Sequence, residues 1–253
     1  MRSVLEQSYR DLELVVVDDN SPDETEAIVR AIHDPRVRYE RNAVNLGPEG
    51  NWNRCLALAR GEYFKLMPHD DLLRPGCLER QVAVLEADRA EAIALVCCAR
   101  EVIGPTGRVL ARRGYPGGQV GTLAAAAVMR QCVRRGTNVI GEPGGVLFRR
   151  SLAQRVGGFD ATNPYVIDLD YWTRLLAHGC AYYQPEIGAA FRASSGQWTV
   201  AIGRQQSRQF SDYITRARLD QAPGVNSLDR ACGMITPMLN QGARWIFYRV
   251  FVR

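Results

Sequence analysis

The sequence predicts an α/β fold: a doubly wound, mostly parallel sheet flanked by helices, with a small C-terminal helical tail. Three observations carry that prediction. Over the first hundred residues, β-branched apolar runs alternate with stretches of helical periodicity. The run Leu12 to Val17 is dominated by apolar residues on both faces, as a central parallel strand requires. No internal repeat or low-complexity linker breaks the alternation, so βαβ units in one sheet are the natural architecture.

The elements follow in order. Met1 opens on a short helix, and the strand Leu12 to Val17 stops at Asp18 and Asp19. Ser21, Pro22 and Glu24 supply an N-cap, a first-turn proline and a capping-box partner for a helix ending near Asp34-Pro35. A strand over Val37 to Glu40 leads through "RNAVNLGPEG" to a helix over Asn51 to Arg60, closed by Gly61. The next strand, Glu62 to Met67, runs into His69, Asp70 and Asp71. A helix with Leu78, Val82 and Leu85 on one face precedes a strand at Ile93 to Cys98. Beyond Gly104, "GYPGGQVGT" and "GTNVIGEPGG" read as glycine-rich loops around a helix over Leu123 to Arg134. "IDLDYWTRLLAHG" is a helix closed by Gly179, and the segment after Gly196 reads as polar helices ending in "ARWIFYRVFVR". The expected division is a main domain over 1–199 and a helical extension over 200–253.

Composition narrows the function. Seven scattered cysteines without a CxxC pair argue for reduced thiols rather than a disulfide frame or a zinc site. The net charge of +5 rests almost wholly on arginine, since Lys65 is the only lysine. No basic stripe interleaved with aromatics occurs in the first half, which argues against nucleic acid as a partner. No apolar run approaches the ~18 to 20 residues of a membrane span, and Met1 opens on no signal-peptide pattern. A cytoplasmic address is therefore expected.

The chemistry gathers at strand ends. In a parallel sheet, ligands bind at the carboxyl edge, so Asp18/Asp19 and Asp70/Asp71 are expected on one rim. Like charges held together call for a cation or a hydrogen-bonding ligand between them. Mg²⁺ or Mn²⁺ takes one or two protein carboxylates plus substrate phosphate oxygens. The plain structural alternatives are turn chemistry for the first pair and a solvated strand end for the second.

Taken together, "LELVVVDDNSPDET", "NLGPEGNWNRCLALARGEYFKLMPHDDLLRPGCLE", "GGVLFRRSLAQRVGGFD" and "IDLDYWTRLLAHG" resemble family 2 glycosyltransferases of the GT-A fold, inverting enzymes. The resemblance runs from Ser3 to about Thr199. It implies that Asp18 and Asp19 hold the base and ribose of a nucleotide, with Asn45, Gly47 and Asn53 beside them. It puts the D-x-D-type metal motif on Asp70 and Asp71, and a nucleotide contact on Asp70. It implies Asp168 as general base and Arg192 as a basic group near the diphosphate. Two positions depart from the family: Pro68 stands where a first Asp is common, and Ile167 where Glu is common.

The residues themselves support Asp168 independently. Sugar transfer with inversion needs a carboxylate to take the acceptor hydroxyl's proton, and N-capping is the structural alternative for Asp168. Asp170 and Arg174, four residues apart, read as a surface ion pair. Glu142 is open to an acceptor contact or to no role, and His69 to the metal site or a plain turn.

The expected protein is thus a metal-dependent transferase using Mn²⁺ or Mg²⁺. It takes a nucleotide-diphospho-sugar donor and a saccharide or lipid-linked acceptor. A nucleotidyltransferase is disfavoured because no glycine-rich phosphate loop with a lysine lies near the first strand. A non-catalytic nucleotide-sugar binder or scaffold is the alternative. The aromatic, basic segment 244–253 reads either as a peripheral membrane contact or as a last helix or strand packed on the domain. Finally, a βαβ unit needs a strand before the first helix. The pattern therefore predicts ~10 to 20 further residues upstream, weak donor binding without them, and an apolar sheet edge prone to self-association.

Overall fold

The computed structural model describes residues 1–194, 202–203, 205–215 and 224–251. Helix α1 (Arg2–Leu5) precedes β1 (Leu14–Asp18), α2 (Thr25–Arg30), β2 (Val37–Arg41) and α3 (Gly47–Leu58). Strands β3 (Tyr63–Phe64) and β4 (Leu72–Leu73), helix α4 (Cys77–Ala87) and strands β5 (Ile93–Ile103), β6 (Val109–Arg113) and β7 (Gly121–Leu123) follow. Then come α5 (Ala125–Arg135), β8 (Val146–Arg149), α6 (Arg150–Val156), α7 (Ile167–Leu176) and β9 (Cys180–Arg192). Two helices close the described chain, α8 (Gln205–Thr215) and α9 (Ser227–Phe251).

The α/β class holds, and the sheet is mixed. Strands β1 and β2 form a parallel pair of their own, in register from Leu14 against Val37 to Asp18 against Arg41. The other seven strands run in the order β3-β8-β5-β9-β4, with β6 on β5 and β7 on β9. Of their pairings, β5 with β9 is parallel and the others are antiparallel. The glycine-rich second half explains this. Gly107, at a φ of +85°, turns the chain straight back from β5 into β6, where a helical crossover would have kept it parallel.

Boundaries moved for local reasons. Strand β3 covers only Tyr63 and Phe64, paired with Arg149 and Phe148 of β8, and stops short of the expected Met67. Strand β5 extends past Cys98 to Ile103, and its buried charges are paired: Glu101 with Arg74 and Arg112, Arg100 with Glu142. Helix α3 begins at Gly47, ahead of the expected Asn51, with Pro48 in its first turn. Helix α2 starts late, and the residue bonding its first turn is Asp23, whose Oδ1 accepts from the Thr25 amide at 3.0 Å, not Ser21.

The core sits between β5, β8 and the helices α5 and α7. Trp172, Tyr171 and Phe148 are its largest fully buried side chains, and Phe159 stacks on Tyr171 with centroids 3.9 Å apart. Burying one such side chain stabilises the fold by roughly 1.5–3 kcal/mol. Phe210, Tyr213 and Ile214 of α8 belong to this same cluster. The tail is therefore not a separately packed unit, and the expected 199/200 boundary itself lies outside the described residues. All seven cysteines are free thiols.

Candidate active site

One cleft of about 2070 Å³ runs between the β1–β2 pair and the larger sheet, and α9 closes its far side. Asp18, Asp19, Asn45, Gly47, Asp70, Asp71, Glu142 and Asp168 all line it. The two acidic pairs, some fifty residues apart in sequence, do meet in one place.

At the β1 end, the chain leaves the strand through Asp18 and Asp19. The side chain of Asp18 is fully buried. Its Oδ1 accepts from the Ser21 amide at 2.8 Å and its Oδ2 from the Tyr39 hydroxyl at 2.6 Å. Burial pushes its pKa up, but those hydrogen bonds and the Arg41 charge outweigh it and hold the carboxyl below the usual range. Asp19 Oδ1 accepts from Asn42 Nδ2 and the Leu46 amide, both at 2.8 Å, which shapes the loop before α3. Asn45 Oδ1 accepts from the Gly47 amide, and Gly47 takes a φ of +70° that opens α3. Asn53 is placed elsewhere. Its amide donates to Phe159 O at 3.0 Å and accepts from Phe159 N at 2.6 Å, locking α3 to the loop before α7. Both ends of the side chain are committed, and it does not border the cleft. Asn51, one turn face away, does border it and reaches Val17 O and Asn42. The sequence offers no signal separating the two asparagines beyond helical phase.

The rim after β3 is built by Asp70, Asp71 and Arg192. Asp70 is half-buried and borders the cleft. Asp71 is buried, and its Oδ1 accepts from the Arg192 amide at 2.9 Å. Burial pushes its pKa up to about 8, with the charges of Asp70 and Glu142 adding to that and the Arg192 amide opposing it. Asp71 thus fastens the loop to β9 through Oδ1, and it borders the cleft beside Asp70. Arg192, expected near the diphosphate, does not border the cleft. Its guanidinium donates to the carbonyls of Asp70, Gly104 and Pro105 at 3.0 Å each, so it clasps the Asp70 loop from behind. Lys65 is spent likewise on the carbonyls of Gly144 and Val146.

Opposite this rim, Asp168 stands in the first turn of α7. It is not the N-cap, a place taken by Val166. Its Oδ2 accepts from Asn138 Nδ2 at 2.9 Å, and its Oδ1 from the Leu169 amide at 2.7 Å. Burial pushes its pKa up to about 7; the Glu142 charge adds to that, while the Leu169 amide and Asn138 oppose it. Asn138 organises the loop in front: its Oδ1 accepts from the amides of Ile140 and Gly141. Trp172 Nε1 donates to the carbonyl of Gly141, and Arg100 forms an ion pair with Glu142. Glu142 is therefore a paired loop carboxylate beside Asp168. Asp170 pairs with Arg174 as expected, but buried, because Arg174 also donates to Val156 O and Gly158 O.

The remaining wall comes from α9. Arg244 lies over the Tyr165 ring, 5.2 Å from its centroid. Among the described residues, its Nε and Nη2 are buried and find no hydrogen-bond partner. A buried guanidinium with open donors is costly until an anion meets it. In the sequence Arg244 carries no mark of a cleft residue beyond its place in the aromatic, basic tail.

Among the described residues no group of three or more His, Cys, Asp and Glu side chains could hold a metal by itself. Mg²⁺ and Mn²⁺ bound with a diphosphate do not require one, since substrate oxygens and water complete the shell. A single cleft-lining carboxylate, Asp70, fits that pattern; His69 beside it also borders the cleft.

The chain matches the family described as Glycosyl transferase family 2 over residues 1–157. An uncharacterized protein of Mycobacterium tuberculosis is 33% identical over 208 residues, covering 80% of this chain and 64% of that protein. A GalNAc(5)-diNAcBac-PP-undecaprenol beta-1,3-glucosyltransferase of Campylobacter jejuni is 38% identical over 81 residues, covering 31% of this chain and 26% of that enzyme. The chain thus spans less than two thirds of either relative's length. Among solved structures, a mannosyltransferase from Pyrobaculum calidifontis, in complex with GDP-Man and Mn²⁺, aligns at a TM-score of 0.63 with 18% identity. That alignment covers all of this chain and 70% of that one. This likeness shows the GT-A fold.

Proposed function

The chain belongs to glycosyl transferase family 2, and from that premise we propose that it moves a sugar from a nucleotide-diphospho-sugar to a hydroxyl acceptor with inversion. One observation carries the reading: Asp168 and Asp70 border a single cleft, and Asp168 is held by Asn138 with a pKa near neutrality. A carboxylate poised there can take a proton at physiological pH. As the acceptor oxygen bonds to the anomeric carbon, its proton passes to Asp168 and the bond to the diphosphate breaks on the opposite face. Asp19, Asn45 and Asn51 border the nucleotide end, while Asp18 and Asn42 hold that end in shape. Arg244, with open donors among the described residues, meets the developing negative charge.

Asp70 would hold a divalent cation, as the Mn²⁺ bound with GDP-Man in the archaeal mannosyltransferase suggests. When bound, such an ion supplies charge neutralisation for the departing nucleoside diphosphate. The acceptor is a saccharide, free or lipid-linked, the latter in keeping with the undecaprenol-linked substrate in the Campylobacter enzyme's name. The test is a screen of nucleotide sugars with Mn²⁺, Mg²⁺ or chelator, scored by release of nucleoside diphosphate. Release that depends on Asp168 and an acceptor supports transfer. Tight donor binding without turnover under every condition overturns it in favour of a binding protein.

A further inference from the structure

Helix α9 presents two faces of opposite character. One packs on the protein: Asp229, Gly233 and Pro237 are buried, and Gln241, Arg244 and Tyr248 border the cleft, with Trp245 at the boundary between the two faces bordering it as well. The other is exposed and apolar. Leu228, Ile235, Met238, Leu239, Trp245 and Ile246 are each 58–69% exposed, and at 100° per residue they fall within one half of the helix circumference. Val250, 61% exposed, continues the stripe. Twenty-five residues at ~1.5 Å each give an apolar ridge of roughly 38 Å, more than a monomer ordinarily leaves to water.

Charge identifies the occupant. From Arg230 to Arg253 the sequence holds no Asp or Glu; Arg244 faces the cleft and Arg230 bonds the Ile214 carbonyl, so among the described residues the exposed face carries Arg249 with no acidic counterpart. On the exposed face near the end of α9, Arg249 stacks over the Trp245 ring at 5.1 Å, the residue pair that suits a headgroup layer. No helix among the described residues is long and apolar enough to cross a membrane. We propose that the outer face of α9, from Leu228 to Val250, docks on an anionic lipid surface. The mouth of the cleft, walled by the same helix, then stands beside the lipid headgroups. This rests on the proposed function only for its purpose, presenting a lipid-linked acceptor to the cleft.

The experiment is flotation of the full chain with vesicles of phosphatidylcholine and phosphatidylglycerol at 3:1, without donor or acceptor. Binding is expected. The double variant Leu239→Glu/Ile246→Glu should partition at least ten-fold less while keeping the wild-type circular dichroism spectrum and its turnover of a soluble acceptor. Arg249→Gln should lower binding about five-fold, the scale of one basic residue at a charged membrane. Absence of wild-type binding, or a double variant that floats equally well, overturns the proposal. So does a wild-type dimer by light scattering that the double variant abolishes without any vesicle binding, which assigns the face to a second copy. Because vesicle binding is read without turnover, its failure leaves the transferase reading untouched.

Discussion

Asp168 and Asp70 border the same cleft in different surroundings, and single substitutions separate their roles. Asp168→Asn should leave nucleoside diphosphate affinity by calorimetry intact while transfer falls by ~10²-fold or more, the scale of a lost general base. A proton acceptor must be ionised, so the rate should rise with pH through about 7 and level off above it. Asn138→Ala removes a hydrogen bond that favours the ionised form, so the rising limb should move to higher pH; a limb that stays put rejects this positioning role. Asp70→Asn should lower the rate by at least ~10²-fold with a raised metal requirement, whereas Asp71→Asn keeps an acceptor for the Arg192 amide and should lower it far less. At this scale the sequence placed Asp18 at the end of β1, but Asp70 and Asp71 lie well past the end of β3 and just before β4. It did not show which polar groups are already spent. Asn53 and Arg192 carry the right chemistry, but backbone groups of Phe159, Gly104 and Pro105 take it up, and the Arg192 amide takes one oxygen of Asp71. Those partners lie 87 to 121 residues away and leave no local signature.

Helix α3 illustrates how elements hold the cleft in shape. Its Asn53 bridges both backbone groups of Phe159, whose ring sits edge-on to Trp52 at 5.4 Å and stacks on Tyr171. Asn53→Ala strands those two buried groups and should cost about 1–3 kcal/mol in urea denaturation. Nucleotide affinity should change little, because Asn53 does not border the cleft; a selective loss of affinity would restore the nucleotide role. Helices α4, α5 and α7 were legible because apolar spacing alone defines them, and β1 because its apolar run is continuous. The short strands were not. Strands β4, β6 and β7 owe their existence to partners, β9 for two of them and β5 for the third, and pairing across the molecule overrides local propensity.

For the whole molecule, acid and base sides of stability belong to different carboxyls. Asp71 and Asp168 have pKa values raised to about 8 and about 7. Each binds its proton more tightly folded than unfolded, so its contribution is complete below about 4 and is lost as pH rises through 7 to 8. Asp18, Asp88 and Asp229 are shifted the other way; theirs is present above about 4 and disappears on further acidification. Thermal melts should therefore peak in mildly acidic buffer and decline by pH 8.5, and a flat profile from pH 5 to 8.5 would contradict the burial assigned to Asp71 and Asp168. The α/β class was readable from the alternation of elements, but its mixed sheet was not, since turns at glycines such as Gly107 decide strand direction. The separate pairing of β1 with β2 has a further consequence. With no ladder among the described residues joining it to the larger sheet, this pair can open without breaking the rest, so its amides should exchange with deuterium well before those of β5 and β9. A bound nucleotide spanning both walls couples the two, and protection of Val15 to Val17 becomes a gauge of cleft occupancy that needs no catalysis at all.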